Sequence, residues 1–166
     1  MSIYVDALRI AEKLYTKSPS AFHVLARVPV PYHYINDGHH LHHSHPIVSL
    51  SPFPSSKHQA APPAIDYINY SPPFQAPLPI DTPDEFYEAL KQFSDLLEED
   101  RYEYMLKEGD AVIFDNRRVL HARTEFRETE NTVEGEPHRW LKGCYLEADD
   151  VLDQRRILSE RAETSS

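Results

Sequence analysis

One histidine and one arginine late in the chain have the side chains that oxygen chemistry at a mononuclear iron would need. His121 lies in FDNRRVLHAR, where an apolar run ends in a polar bend and a second short strand is predicted. Arg139 follows in HRWLKGCY, on another predicted strand, beside Trp140. Imidazole is a common iron ligand in oxygenases, and the planar guanidinium matches a carboxylate such as that of an oxo-acid co-substrate.

Each of these residues also has an ordinary structural explanation. His121 could be a hydrogen-bonded core histidine, and Arg139 could pair with one of the 27 acidic residues. A charge in an apolar interior is costly unless it meets an anion. The oxygenase interpretation therefore requires both side chains to project from neighbouring strands into one shared pocket in a β core.

Five more histidines lie within seven residues: His39, His40, His42, His43 and His45. Such a tract can bind zinc or copper. A four-coordinate site, however, needs ligands fixed in a tetrahedral arrangement, and this tract lies between Gly38 and Pro46 with no cysteine nearby. We expect a solvated loop, and metal binding by it stays an open alternative.

The rest of the sequence predicts strands with supporting helices. Apolar residues at helical spacing predict a helix over 4–16, and a Thr-Pro-Asp-Glu capping box at Thr82 predicts another that runs to about residue 99. Residues 46–83 hold ten of the fourteen prolines and should be extended. The other predicted elements are an edge strand over 22–35, strands at 64–70, 102–107, 111–115, 118–123 and 138–146, and a helix near 149–158.

Composition narrows the class of protein. The formal net charge of −10 disfavours nucleic-acid binding, which needs clustered lysine and arginine. The single Cys144 excludes an internal disulfide framework and favours a reducing compartment. No apolar run approaches the roughly 20 residues of a membrane span, so we expect a cytoplasmic protein, with a mitochondrial location left open.

Several segments resemble the C-terminal end of the γ-butyrobetaine and trimethyllysine dioxygenases. These are Fe(II)/2-oxoglutarate oxygenases related to the taurine dioxygenase group. The segments that carry the likeness are FDNRRVLHAR, RWLKGCYLEADDVL, YVDALRIAEKL, AFHVL and INYSPPF. The resemblance implies a mainly β fold with flanking helices, an incomplete double-stranded β-helix (jelly roll) over residues 1–158. Beyond it, we expect residues 159–166 to form a frayed, disordered tail.

The resemblance also implies roles for individual residues. His121 matches the distal iron ligand, Arg139 the arginine that binds 2-oxoglutarate, and Tyr145 an aromatic residue of the cage around a trimethylammonium group. A quaternary cation has no N–H to donate, so aromatic faces are what recognise it. The implied cofactors are Fe(II), 2-oxoglutarate and ascorbate. The implied reaction is hydroxylation of γ-butyrobetaine to L-carnitine, with trimethyllysine as the alternative substrate.

One departure from that family is evident in the sequence. Its iron ligands include a His-x-Asp pair, and this chain contains neither His-x-Asp nor His-x-Glu. We expect those ligands to lie before Met1, so that the chain is the C-terminal part of a longer or truncated product. A non-catalytic remnant is the alternative, and a homodimer is left open.

Overall fold

The computed structural model describes residues 1–52, 63–125 and 141–164, and the chain divides into two compact units, 1–125 and 126–166. The described strands, all in the first unit, are β1 (Ser2–Asp6), β2 (Pro29–Asn36), β3 (His39–Pro46), β4 (Val48–Leu50), β5 (Ile65–Ile68), β6 (Tyr102–Tyr104) and β7 (Val119–Arg123). The described α-helices are α1 (Ala7–Lys17), α2 (Pro19–Arg27) and α3 (Asp84–Glu99) in the first unit and α4 (Ala148–Thr164) in the second.

The strands form three small antiparallel sheets, in the orders β6-β1-β7, β2-β3 and β4-β5. Antiparallel sheets flanked by helices were predicted, and that part of the fold class is confirmed. The strands in the described part of the chain do not close into a barrel. A complete jelly roll is therefore not seen among these residues.

One hydrophobic core joins the three sheets to helices α1, α2 and α3. Each sheet contributes a buried valine to it: Val5 from β1, Val30 from β2 and Val48 from β4. The largest fully buried side chains come from the helices: Phe22, Phe86, Phe93, Ile10, Leu14 and Leu25. Burying each such side chain stabilises the fold by about 1.5–3 kcal/mol, so the core fixes the position of every strand that reaches it.

The early part of the chain differs from its prediction. The expected helix over 4–16 begins only at Ala7, because Ser2–Asp6 pairs with β6 and β7 as a strand. The strand expected over 22–35 is wrong for its first six residues, which belong to α2, and right from Pro29 onward. Pro19 occupies the first turn of α2, where its missing N–H costs nothing.

Later elements were predicted with errors at their ends. The strand expected at 64–70 is confirmed as β5, the one at 118–123 as β7, and the one at 102–107 shortens to β6. No strand forms at 111–115. For the strand expected at 138–146, residues 141–146 are not in a strand and the rest lies outside the described residues.

The helix ends also differ. In place of the expected capping box, α3 begins at Asp84, and the Thr82 hydroxyl donates to the Pro79 carbonyl. The helix expected near 149–158 is confirmed, but α4 continues to Thr164. Of the tail expected at 159–166, residues 159–164 are helical, while 165–166 lie outside the described residues.

The histidine tract is a strand, so the expected solvated loop is wrong as a backbone assignment. β3 pairs with β2 over its whole length, from Asn36↔His39 to Pro29↔Pro46. Asp37 and Gly38 connect the two strands with φ of +50° and +79°. Positive φ at both residues is typical of the two-residue Asp-Gly hairpin turn, which fixes the register.

Candidate functional site

His121 lies in the middle of β7, directly opposite Tyr4 of β1. Side chains alternate between the two faces of a strand. The neighbouring Leu120 pairs with the buried Val5 and packs against the core. His121 and Tyr4 therefore share the face of this sheet that points away from the core.

Four aromatic side chains accompany His121 on that side. The Phe114 ring centroid lies 5.0 Å from the His121 ring and 5.8 Å from the Tyr4 ring, edge-on in the second case. Tyr102 pairs with Tyr4 across the sheet, and its ring stacks with that of Tyr104. We call these five residues the aromatic face.

The aromatic face is open to solvent. His121 is exposed, as are Tyr102 (61%) and Tyr104 (38%). The expectation that His121 faces the inside of a β core is therefore not met by the described residues, in which its ring lies outside. The imidazole is accessible to a ligand, a metal ion or another part of a protein.

An ion pair at the start of β7 positions the strand that carries His121. Arg118 donates from Nη2 to Asp6 Oδ2 at 2.6 Å and from Nε to Oδ1 and Oδ2 at 3.1 and 3.2 Å. These hydrogen bonds hold the pKa of Asp6 below its ordinary value, against the opposing effect of burial, and they raise the pKa of Arg118. The Ala7 N–H also donates to the Arg118 carbonyl at 2.9 Å. The end of β1 and the start of β7 are thereby fastened together three residues before His121.

The polar bend before β7 is organised by Asp115. Its carboxylate accepts from the Arg117 N–H at 2.9 Å, and its carbonyl accepts from the Val119 N–H at 2.8 Å. The Arg117 guanidinium lies 5.2 Å from the centre of the Tyr67 ring on β5. These contacts set the direction in which the chain enters β7.

Within the INYSPPF segment, Asn69 makes hydrogen bonds to residues of two neighbouring sheets. Its side-chain amide donates to the Pro46 carbonyl at 2.9 Å and to Ser49 Oγ at 3.0 Å, while its carbonyl accepts from the Tyr32 hydroxyl at 2.8 Å. Burial is the main reason that the pKa of Tyr32 rises to about 12. Asn69 therefore ties the β2-β3 sheet to the β4-β5 sheet.

Two other site residues were predicted, Arg139 and Tyr145. Arg139 lies outside the described residues, so the predicted pairing of the imidazole with the guanidinium stays a prediction. Tyr145 belongs to the second unit, where its side chain is 88% exposed. Its role in a cation cage also stays a prediction.

An iron site requires more donors than His121 alone. A facial triad binds iron through two histidines and one carboxylate. Within 1–52, 63–125 and 141–164, no three histidine, cysteine or acidic side chains converge so as to hold a metal ion. His121 provides one donor, so these residues alone do not complete an iron site.

Comparison with known proteins identifies the family. The sequence model of the family described as "Taurine catabolism dioxygenase TauD, TfdA family" matches residues 1–145. This range includes β1, β7 and His121. The chain belongs to the TauD/TfdA family. The match confirms the resemblance to this group of dioxygenases that the sequence segments predicted.

Three relatives of this TauD/TfdA chain illustrate the range of similarity. "Dioxygenase str8" of Strobilurus tenacellus is 51% identical over 161 residues, which are 95% of this chain and 36% of the relative. Human "Trimethyllysine dioxygenase, mitochondrial" is 30% identical, with 97% of this chain and 36% of the relative covered. Human "Gamma-butyrobetaine dioxygenase" is 29% identical, with 98% and 40% covered. The chain thus spans a little over a third of the length of these relatives.

Sequence reasoning missed several residues that position the TauD/TfdA histidine. Asp6 stands just before the helical pattern of α1, as a capping residue does, and that signal was available. Its ion pair with Arg118 joins residues 112 positions apart, and no local pattern reports such a contact.

In the described ranges of the chain, no helix is long and apolar enough to cross a membrane.

Proposed function

We propose that this TauD/TfdA chain is part of an Fe(II)/2-oxoglutarate dioxygenase that hydroxylates a trimethylammonium substrate, with γ-butyrobetaine as the preferred candidate and L-carnitine as product. His121 binds the iron, Arg139 binds the far carboxylate of 2-oxoglutarate, and Tyr145 contributes to the substrate cage. The observation that carries the proposal is the single exposed imidazole on the aromatic face of a chain that matches the family over residues 1–145.

The aromatic face supports a cationic substrate near His121. A trimethylammonium group is recognised by the faces of aromatic rings within about 6 Å, each contact contributing about 0.5–2 kcal/mol. Tyr4 and Phe114 form an edge-on ring pair, and Phe114 also contacts the His121 ring. Rings beside a metal ligand would place a bound cation close to the reacting centre.

Two further iron ligands must come from residues other than those described. One imidazole does not hold Fe(II) usefully, because the facial triad needs three protein donors. When bound, iron in such a site activates oxygen for oxidation of the co-substrate and substrate. The described residues would contribute one ligand to it and the β1-β7 register that holds that ligand in place.

Trimethyllysine is the alternative substrate within the same reaction class. The relatives named for trimethyllysine and γ-butyrobetaine are 30% and 29% identical to the chain, so identity does not separate them. The name of the 51% identical relative, Dioxygenase str8, specifies no substrate. A direct comparison of the two substrates is therefore required.

A non-catalytic remnant is the second candidate function. It is favoured by one observation, that among the described residues no three histidine, cysteine or acidic side chains are placed so as to hold a metal ion. In that case the chain would pair with another protomer or have no enzymatic role. It predicts no succinate production under any condition.

The test uses the longest reading frame that contains these 166 residues. The purified protein is supplied with Fe(II), 2-oxoglutarate, ascorbate and either substrate, and succinate and hydroxylated product are measured by mass spectrometry. We expect succinate and product, both abolished by His121→Ala and unaffected by His23→Ala, an exposed histidine on α2. Absence of succinate with both substrates, in a protein shown to bind Fe(II), would reject the substrate class.

A further inference from the structure

The β2-β3 hairpin carries histidines that the proposed function does not use. Like the other described residues, they do not converge so as to hold a metal ion. The strand register places His43 opposite Tyr32 and His45 opposite the buried Val30. Both imidazoles therefore lie on the face of the ribbon that reaches the core, and they are neighbours on that face because they are two residues apart on one strand.

The rings of His43 and His45 are in direct contact. Their centroids are 3.9 Å apart, and the ring planes meet at 72°. Neutral aromatic rings are stable in this edge-on arrangement, in which the edge of one ring meets the face of the other. Two imidazolium rings at the same distance repel each other, because each carries a positive charge. The contact therefore favours the neutral state of both rings.

The elements around this pair supply no negative charge to offset that repulsion. β3 packs mainly against β2 and α2, and neither of these contains an acidic residue. The titratable and charged side chains on the three elements are His23 and Arg27 on α2, Tyr32, His33 and Tyr34 on β2, and His39, His40 and His42 on β3.

The nearest acidic residues along the chain are also poorly placed. Asp37 lies in the turn at the opposite end of the ribbon, and Asp66 of β5 is exposed. Within the described ranges, no carboxylate forms an ion pair with His43 or His45. Burial raises the pKa of Tyr32 to about 12, so this phenol stays neutral while histidines titrate.

We propose that the His43–His45 pair is an acid-sensitive switch in the hairpin, which loosens the end of β3 from the core when both rings become protonated. The Asn69 amide donates to the Pro46 carbonyl at 2.9 Å, directly after His45. Protonation of the pair thus acts where the β2-β3 sheet is tied to the β4-β5 sheet.

The direction of the pH dependence follows from His45. Burial, and secondly the charge of His43, lower its pKa from the ordinary 6.5. The folded chain therefore takes up this proton less readily than the unfolded chain. The stabilisation is fully present above about pH 6.5 and is lost as pH falls through the folded value. The Asp6–Arg118 ion pair titrates lower, so the β1-β7 contact serves as an internal reference.

The test is hydrogen exchange of the 166-residue chain, followed by mass spectrometry at about pH 7 and about pH 5, on either side of the ordinary histidine pKa. Exchange rates are corrected for the intrinsic effect of pH. Peptides from β2 and β3 should lose protection about two- to fivefold at the lower pH, the range for a like-charge pair on a sheet face. Peptides from β1 and β7 should keep theirs. Unchanged protection of β3, or equal losses in both sheets, would overturn the proposal.

Matched variants separate the pair from the total charge of the tract. His43→Gln and His45→Gln each remove one member of the pair, and each should abolish the loss of protection at low pH. His39→Gln, on the same face, and His42→Gln, on the opposite face, should retain it. If the two control variants abolish the loss as fully as the pair variants, the charge of the whole tract is the cause and the proposal is wrong. Protection of β1 and β7 at pH 7 confirms that each variant is folded.

Nuclear magnetic resonance of the His45 ring proton provides an independent readout. In the parent, its titration midpoint should lie below 6.5. In His43→Gln the midpoint should rise but stay below 6.5, because the charged neighbour is gone while the burial remains. An identical midpoint in parent and variant would show that the two rings do not interact, and it would refute the switch.

Discussion

The Asp6–Arg118 ion pair provides the sharpest test of how the structure positions His121. The Asp6 carboxylate accepts three hydrogen-bond contacts from Arg118 and one from the Arg9 N–H, at 3.3 Å, as the N-cap of α1. Asp6→Asn removes the charge but keeps an oxygen that can cap the helix. Asp6→Ala removes both functions, and Arg118→Gln removes the partner.

The expected losses follow from exposure and geometry. The side chains of Asp6 and Arg118 are 33% and 55% exposed, so the ion pair contributes about 0.5–1 kcal/mol, in the range of surface pairs. The cap bond is long, so its loss should cost about 0.5–1 kcal/mol, near the lower end of the range for capping residues. We therefore expect about 0.5–1 kcal/mol for Asp6→Asn and about 1–2 kcal/mol for Asp6→Ala, and a loss of the same sign for Arg118→Gln.

Urea unfolding at pH 7 measures these free energies. With a slope of about 2 kcal/mol per molar urea, Asp6→Ala should lower the midpoint by about 0.5–1 M. Asp66→Asn, a change to an exposed carboxylate on β5, is the matched control and should have little effect. Hydrogen exchange of the Ala7 amide, which donates to the Arg118 carbonyl, should accelerate in Asp6→Ala and not in the control.

The pH dependence has a defined sign. The pKa of Asp6 is lowered in the folded chain from an ordinary 3.8, so its stabilisation is fully present above the unfolded value and is lost as pH falls through the folded value. The difference between the parent and Asp6→Asn should be constant from about pH 5 to 7 and shrink below about pH 4. If Arg118→Gln costs nothing while Asp6→Asn costs the full amount, the ion pair is not the cause. A pH-independent difference would refute the charge argument.

Three other predictions concern Phe93 in the core, the side-chain amide of Asn69 and the phenol of Tyr32. Phe93→Ala should lower the free energy of unfolding in urea by about 3–5 kcal/mol, because its ring is fully buried. Ile80→Ala, at a fully exposed position, should change it by no more than about 0.5 kcal/mol. Equal losses in the two variants would contradict the position of the core. Asn69→Ala should cost about 1–3 kcal/mol by the same assay, since it leaves the Pro46 carbonyl without its donor. An unchanged urea midpoint would show that the Asn69 amide does not stabilise the contact between the two sheets. In an ultraviolet titration, one tyrosine should ionise near pH 12, and Tyr32→Phe should remove that step. Because the Tyr32 pKa is raised on folding, its stabilisation is present below about pH 10 and fades as pH rises towards 12; a parent whose tyrosines all titrate near pH 10 would contradict this.

The helices show how far local pattern carries a prediction. Residues of α1 and α3 alternate apolar and polar character at helical spacing, and both helices were found within a few residues of their ends. α2 was missed because its β-branched and aromatic content favoured a strand. The decisive signal was Pro19 at its first turn and the spacing of Phe22 and Leu25, which are buried on one side.

The histidine tract shows what a turn adds to a pattern. Five histidines in seven residues suggested a loop by composition, whereas the Asp37-Gly38 pair marks a two-residue hairpin. Pairing with β2 then sorts the histidines between two faces. That division follows from strand geometry and is invisible to composition alone.

The candidate site was predicted in part. His121 was located on its strand from the segment FDNRRVLHAR, and β7 confirms that strand. Its exposure, its contact with Phe114 and its pairing with Tyr4 depend on how β1 docks beside β7. Docking between segments more than 100 residues apart is set by the whole fold, and no local signal reports it.

The most direct test of the proposed role of His121 is anaerobic Fe(II) binding by the longest reading frame that contains this chain. With 2-oxoglutarate present, the parent should bind about one Fe(II) per chain, and His121→Ala should bind at least tenfold more weakly, as expected when a metal ligand is lost. The His23→Ala control should match the parent. Full Fe(II) affinity in His121→Ala, with the control unchanged, would contradict the assignment of this imidazole as an iron ligand.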